Sequence, residues 1–253
     1  MLTVVAGAKK GRTGAHSREG ILILLAAFAK AFAQLTDSDT RRVIWISAAV
    51  AILIFITLWA LVGYILLGTT LFELGWLEAA IDLLGGLAAL VITWLLFPAV
   101  FSACIGLFLD RIVDAVERKH YPMLPPVRHV PVREIVVNTL RFLGVLIVCN
   151  LVILVFLPFP VVFPFVFYAV NGYLLGREYF ELVALRRADV AEVRALRDVY
   201  RGRLFVAGVL VALLLTVPVV NLVAPIVGAA AMVHLFVAWR QRDVGNLNAA
   251  QNA

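Results

Sequence analysis

The chain has 253 residues, of which 63% are hydrophobic and 15% are charged, and its mean hydropathy is +1.00. Soluble globular domains are about half apolar, so the composition excludes an ordinary soluble fold and predicts an all-α integral membrane protein. The net charge of +6 does not indicate a nucleic acid partner, because the cations lie in tails and loops that flank apolar stretches. Cys104 and Cys149 lack ligand spacing, so no metal site or cofactor is predicted.

The chain begins with a basic tail, predicted to be flexible over 1–19, followed by an amphipathic helix over 20–35. Apolar residues share one stripe of this helix, while Lys30 and Gln34 lie opposite. A cleaved signal peptide is the competing interpretation, because cations precede the apolar run and Ala31-Phe32-Ala33 resembles a cleavage site. Lys30 interrupts that pattern, so we expect a retained helix lying in the membrane interface.

Two full membrane spans are expected next, over 43–67 and 83–109. Both stretches are free of charged side chains. At a rise of 1.5 Å per residue, about 20 residues cross a hydrocarbon core of about 30 Å, so both are long enough to cross with some tilt. Pro98 lies inside the second stretch and predicts a kink.

Two further apolar blocks, 142–176 and 204–239, have unusual lengths. A straight helix of either length would reach about 50 Å, whereas two complete spans need about 40 residues before any turn is counted. Prolines interrupt both blocks near the middle. We therefore predict two re-entrant hairpins, whose tips must be shielded by protein or by a wet cavity. The tip residues are Pro158, Pro160 and Pro164 in the first block and Pro218, Asn221 and Pro225 in the second.

The distribution of positive charge favours the same topology. Seven Lys or Arg residues precede the first span, six lie within 110–141 and seven within 177–203, whereas 73–82 carries none and three acids. Hairpins that return to their starting side place all the basic segments in the cytoplasm, as the positive-inside rule requires. Residues 20–239 then form one membrane domain, and 240–253 is expected to be a flexible tail.

The order of these elements resembles that of the CysZ-type sulfate permeases of bacteria, over roughly 28–239. The most specific stretches are Asn171-Gly172-Tyr173-Leu174 through Arg197-Asp198, then Pro218-Val219-Val220-Asn221-Leu222-Val223-Ala224-Pro225 and Gly228-Ala229-Ala230-Ala231-Met232. The resemblance implies a multi-pass protein of the bacterial inner membrane that supplies sulfate for cysteine biosynthesis, assembled as a homo-oligomer with half-spanning helices. It implies a transporter, and no nucleophile with its base is found that would indicate an enzyme.

The same family carries a Gly-aliphatic-Arg motif, linked to sulfate binding, at the start of its first long span. The matching positions here are Asp39-Thr40-Arg41-Arg42, in which an acid and a threonine replace the first two residues. Thr40, Arg41 and Arg42 are thus the predicted anion-binding residues, because a helix N-terminus and bidentate arginines both suit a dianion. In the alternative, the arginines are interfacial anchors and Asp39 caps the helix. Asp39 also favours sulfite or thiosulfate as the transported anion.

Further charged residues flank the spans and are predicted to line an aqueous mouth in an oligomer. Those after the second span are Asp110, Arg111, Asp114 and Glu117, and those around the first hairpin are Arg141, Arg177 and Glu178. The alternative for the first group is a helix emerging into water with an Asp114–Arg118 pair. The alternative for the second group, to which Glu181 lies close in sequence, is internal pairing. His234 is either a proton-accepting group or an interfacial histidine. A third class of function, a non-transporting scaffold, would use the basic helix over 190–203 for docking.

Overall fold

The computed structural model describes residues 19–68, 75–128 and 131–251, so the predicted tail over 1–18 lies outside the described residues. All regular structure in those ranges is helical. The elements are α1 (described over 19–34), α2 (Ser38–Gly68), α3 (Gly75–Gly106), α4 (Leu109–His120), α5 (Val132–Phe156), α6 (Phe163–Ala184), α7 (Val190–Thr216), a short 3-10 helix (Val220–Leu222) and α8 (Ala224–Gln251).

Four of these helices contain a segment that is long and apolar enough to cross a membrane. The segments are Ser38–Tyr64 in α2, Leu83–Gly106 in α3, Val136–Phe156 in α5 and Val190–Thr216 in α7. The first two coincide with the predicted spans, and the other two belong to the first arms of the predicted hairpins. The chain is therefore an all-α, multi-pass membrane protein.

The helix breaks fall at the two proline clusters. Pro158 and Pro160 lie in the turn between α5 and α6, and Pro164 lies in the first turn of α6. Pro218 lies in the turn after α7, and Pro225 is the second residue of α8. Proline lacks an amide hydrogen, so it fits a turn or the first turn of a helix, whereas Pro98 inside α3 leaves one backbone carbonyl of that helix without its usual donor.

Helices extend beyond the apolar blocks from which the hairpins are predicted. α7 unites the predicted basic helix over 190–203 with the first arm of the second hairpin, and only Tyr200 departs from helical backbone, with φ −102° and ψ 15°. α8 continues to Gln251, through residues for which the sequence predicts a tail. Hydropathy marks where a helix can enter lipid, whereas Arg, Gln and Ala continue a helix into water without a break.

The core lies among α4, α6, α7 and α8. The apolar part of α8 is almost completely buried, and Trp239 near its end stacks on Tyr200 of α7 with ring centroids 4.6 Å apart. Helices α6 and α7 approach most closely, because Gly208 faces Gly172 and Gly176 without intervening side chains. By contrast, the most apolar window of α5 contains no buried residue.

Candidate functional site

The start of α2 is tied to the end of α4 by two ion pairs. The Lys119 ammonium lies 2.8 Å from the Asp37 carboxylate, and the Arg118 guanidinium lies 3.1 Å from that of Asp39. The hydrogen bond from Lys119 lowers the pKa of Asp37 below its ordinary value. Asp39 occupies the glycine position of the Gly-aliphatic-Arg motif described above, and its side chain forms a salt bridge at the surface.

The three predicted anion-binding residues at this helix start face different surroundings. Thr40 is fully buried, and its hydroxyl has no hydrogen-bond partner among the described residues. Arg41 and Arg42 are exposed, and neither forms an ion pair with another described residue. Successive helical residues point about 100° apart, so this segment offers two solvated cations and not one converging set.

The acids at the start of α4 are paired with two arginines that follow α6. Arg186 binds Asp114 and lies 3.0 Å from Asp110, whereas Arg187 holds Glu117 through two contacts of 2.6 and 3.3 Å. The Arg187 and Glu117 side chains are 9% and 4% exposed, so this pair is nearly buried. The Asp114–Arg118 pair predicted from their spacing does not form, because both residues have partners from other helices. Arg111 is exposed and stacks over the Phe108 ring.

Four arginines converge on a cleft between α5, α6 and α7, which we call the arginine cleft. It has a volume of about 380 Å³. Its polar lining is Arg141 and Asn138 from α5, Arg177 and Glu181 from α6, and Arg194 and Arg197 from α7. Among the described side chains that line it, Glu181 is the only carboxylate. A neighbouring cavity of about 450 Å³ shares Asn138 and Arg141 and adds Arg133.

Glu181 organises one half of the arginine cleft. One carboxylate oxygen lies 2.8 Å from Nε of Arg177 and 2.6 Å from Nη1 of Arg197, and the other accepts a hydrogen bond of 3.1 Å from Asn138. Arg177 also stacks over the Phe142 ring of α5, 5.4 Å from its centroid. Arg177 and Glu181 are both buried, so this half of the cleft is fixed before any ligand arrives.

Arg141 and Arg194 form the other half. Both side chains are exposed, and neither makes an ion pair or hydrogen bond with another residue in the described part of the chain. No carboxylate among the described side chains neutralises their charges. Because a guanidinium group presents planar N–H donors in a fixed fork, such a pair suits an oxyanion better than a spherical anion.

Local sequence features position the helices that form the cleft. The Asp189 side chain accepts a hydrogen bond of 2.7 Å from the backbone amide of Glu192, which fixes the start of α7 one turn before Arg194. The close approach of α6 and α7 at Gly208 then sets the spacing between Glu181 and Arg197. The i, i+4 spacing of Arg177 and Glu181 places both on one face of α6.

The tips of the two hairpins lie near each other and near α3. The Ser102 hydroxyl lies 3.1 Å from the backbone carbonyl of Asn221 and 3.2 Å from its side-chain oxygen. The hydroxyl oxygens of Tyr168 in α6 and Thr216 in α7 are 3.1 Å apart. Away from the tips, Nδ1 of His234 lies 2.7 Å from the Tyr121 hydroxyl, and its ring is edge-on to that of His120.

The sequence matches the family described as sulfate transporter CysZ/Etoposide-induced protein 2.4 over residues 27–225. The chain belongs to this family. The match covers most of the chain and includes α2 to α7, the arginine cleft and the tips of both hairpins. No curated protein matches the chain significantly. Membership of the sulfate transporter CysZ family confirms the resemblance drawn from the sequence, and it indicates an anion as the substrate.

Of the predicted site residues, only Arg141 and Arg177 line the arginine cleft. Glu178 is exposed on α6 and does not line it. Glu181, which the sequence placed close to Arg177, forms the internal pair given as the alternative for that group. Sequence reasoning missed Asn138, Arg194 and Arg197 as site residues. Spacing in the sequence could have indicated the two arginines. Arg194 and Arg197 are three residues apart in the first turns of α7, and Arg177 and Glu181 are four residues apart in α6, so each pair lies on one face of its helix.

Proposed function

We propose that this protein is a permease for a small tetrahedral oxyanion, with sulfate as the first candidate. The observation that carries the proposal is the arginine cleft, in which four guanidinium groups face one carboxylate. In a transporter family named for sulfate, a cleft with that excess of fork-shaped cationic donors favours oxyanion binding. The proposed location is the bacterial inner membrane, where the imported sulfate would serve cysteine biosynthesis.

The proposed topology retains the two half-spanning hairpins. Asn221 at the second tip contacts Ser102, which lies only four residues, or about 6 Å, before the end of α3 at Gly106. The charged helix α4 follows directly, so that end of α3 is the cytoplasmic one by the positive-inside rule. A tip at this level has not reached the opposite membrane surface.

The contact between Tyr168, four residues after Pro164, and Thr216 supports a similar level for the first tip. Two full spans do not enclose a conduit, so the permeation path requires several copies of the chain, with hairpins from different subunits packed together. Homo-oligomerisation is therefore part of the proposal. Shielding by neighbouring subunits also explains how the irregular backbone at the tips is tolerated at membrane depth.

The proposal is tested by reconstituting the purified protein in liposomes and measuring the efflux of labelled sulfate. The double variant Arg141→Gln/Arg194→Gln should lose most of the flux, because it removes the two cations of the cleft that have no ion-pair partner among the described residues. The matched control Arg118→Gln/Lys119→Gln removes two exposed cations of α4 that line neither the cleft nor the cavities beside it. Absence of sulfate flux in the unaltered protein under every pH gradient would refute the permease.

Sulfite and thiosulfate are distinguished from sulfate by competition. A bound anion raises the melting temperature of the protein it binds, by an amount that depends on its concentration relative to its dissociation constant. Heat protection in matched concentrations of the three anions should be greatest for sulfate. A larger effect of sulfite or thiosulfate would replace sulfate as the substrate while leaving the arginine cleft as its site.

A further inference from the structure

Within the described part of the chain, Glu181 is the only negatively charged side chain that lines the arginine cleft, and it engages two of the four arginines. It is 7% exposed and accepts three charge-assisted or amide contacts at once. Its carboxylate therefore occupies guanidinium donors of the kind that an oxyanion uses. An anion that enters from the side of Arg141 and Arg194 meets this carboxylate within the same cavity.

We propose that Glu181 is the internal counter-anion of the cleft, competing with the transported oxyanion for Arg177 and Arg197. This inference rests on the proposed function, because it assigns to Glu181 the control of affinity in that same site. When the cleft is empty, Glu181 neutralises part of the repulsion among the four arginines. When an oxyanion binds, the repulsion between its charge and the carboxylate weakens its binding.

Transport requires this weakening. A permeating ion must bind well enough to enter a site and weakly enough to leave it. Four unopposed arginines would hold a dianion strongly, because each guanidinium adds attraction in a partly enclosed cavity with low dielectric screening. A fixed carboxylate at hydrogen-bond distance from two of them lowers the affinity without removing the donors that recognise an oxyanion.

The test is Glu181→Gln, which keeps the size of the side chain and one acceptor oxygen, replaces the other oxygen by an amide donor, and removes the charge. Sulfate binding is measured by calorimetry and by heat protection, and sulfate efflux is measured in liposomes. We expect about tenfold tighter binding, or more, together with a lower maximal efflux because release becomes slow. Glu19→Gln is the matched control, since Glu19 is an exposed acid of α1 that lines neither the cleft nor the cavities beside it. It should change binding by less than about twofold.

A second variant covers the case in which Glu181→Gln fails to fold. Glu181→Asp keeps the charge but shortens the side chain by one methylene, so it no longer bridges Arg177 and Arg197, and one arginine is released. Sulfate should bind more tightly than to the unaltered protein. Unchanged or weaker binding in the folded Glu181 variants would overturn the inference and assign Glu181 a purely structural role.

The two proposals fail in different ways. Sulfate efflux in the unaltered protein, combined with unchanged binding in Glu181→Gln, overturns the role of Glu181 and leaves the permease intact. Tighter binding in Glu181→Gln without any efflux in the unaltered protein supports the role of Glu181 in an anion-binding site and refutes transport. Absence of sulfate binding in both proteins overturns both proposals.

Discussion

Gly208→Ala adds one methyl group at the closest approach of α6 and α7. The added Cβ would overlap the carbonyl oxygen of Gly172 and would lie 2.5 Å from the amide nitrogen of Gly176. Both neighbours are backbone atoms, so no side chain can rotate out of the way. The two helices must separate, and the contacts between Glu181 and Arg197 must lengthen with them.

The size of the effect follows from two opposing contributions. Overpacking a closely packed contact costs about 1–3 kcal/mol, and a clash between backbones belongs at the upper end. Replacing glycine by alanine in a helix interior contributes about 1 kcal/mol in the stabilising direction. Gly202 lies in the same helix with no atom within 4 Å of an added Cβ, so Gly202→Ala shows the second contribution alone. The two variants should differ by about 3 kcal/mol.

The assay is thermal unfolding of the purified variants in one detergent. In a protein of this size, 1 kcal/mol corresponds to about 2–4 °C, so Gly208→Ala should melt about 6–12 °C below Gly202→Ala. Gly202→Ala itself should melt at or slightly above the temperature of the unaltered protein. Equal melting temperatures for the two variants would refute the close approach of α6 and α7, and with it the geometry of the arginine cleft.

Three further predictions concern the ion pairs and the hairpin tips. Arg187→Gln should destabilise the protein by about 3–5 kcal/mol, because it leaves the buried Glu117 carboxylate unpaired. Arg118→Gln, at the exposed pair with Asp39, should cost less than about 1 kcal/mol. Similar melting temperatures for the two variants would contradict the burial of the Arg187–Glu117 pair. Lys119→Gln removes the largest cause of the lowered Asp37 pKa. Above pH 3.8 the unaltered protein should therefore be more stable than this variant, by less than about 1 kcal/mol because Lys119 is half exposed. This difference in stability should vanish as the pH falls through the lowered pKa of Asp37, which pH-dependent thermal unfolding of both proteins would measure. Single cysteines at Val161 and Val219, introduced with Cys104 and Cys149 replaced, should resist a membrane-impermeant thiol reagent applied from the periplasmic side; rapid labelling from that side would refute half-spanning hairpins.

The membrane segments could be predicted from the sequence because hydropathy and helix breaking are local properties. The spans in α2 and α3 and the interruptions at Pro158 and Pro218 each follow from about 20 consecutive residues. The junction between the basic helix and the first arm of the second hairpin was predicted at Arg203, and the backbone of α7 kinks three residues earlier, at Tyr200. Hydropathy therefore located this junction to within one helical turn.

The ion pairs that join different helices could not be predicted, because their partners are far apart in sequence. Glu117 is held by Arg187, and Asp39 is held by Arg118. Spacing within one helix instead indicated an Asp114–Arg118 pair worth a few tenths of a kcal/mol. Tertiary partners prevailed, because a nearly buried carboxylate such as Glu117 needs a partner far more than an exposed one does.

The arginine cleft follows from the antiparallel arms of the hairpins. Arg141 precedes the apolar part of α5, Arg177 and Glu181 follow that of α6, and Arg194 and Arg197 precede that of α7. Two consecutive reversals of direction, at 157–162 and 185–189, bring these three basic ends to the same end of the bundle. The same charge distribution that favours the returning topology therefore also concentrates cations in one place, where local carboxylates are too few to neutralise them. An arrangement selected for membrane orientation thus has, as a physical consequence, a site with excess positive charge beside the hairpins.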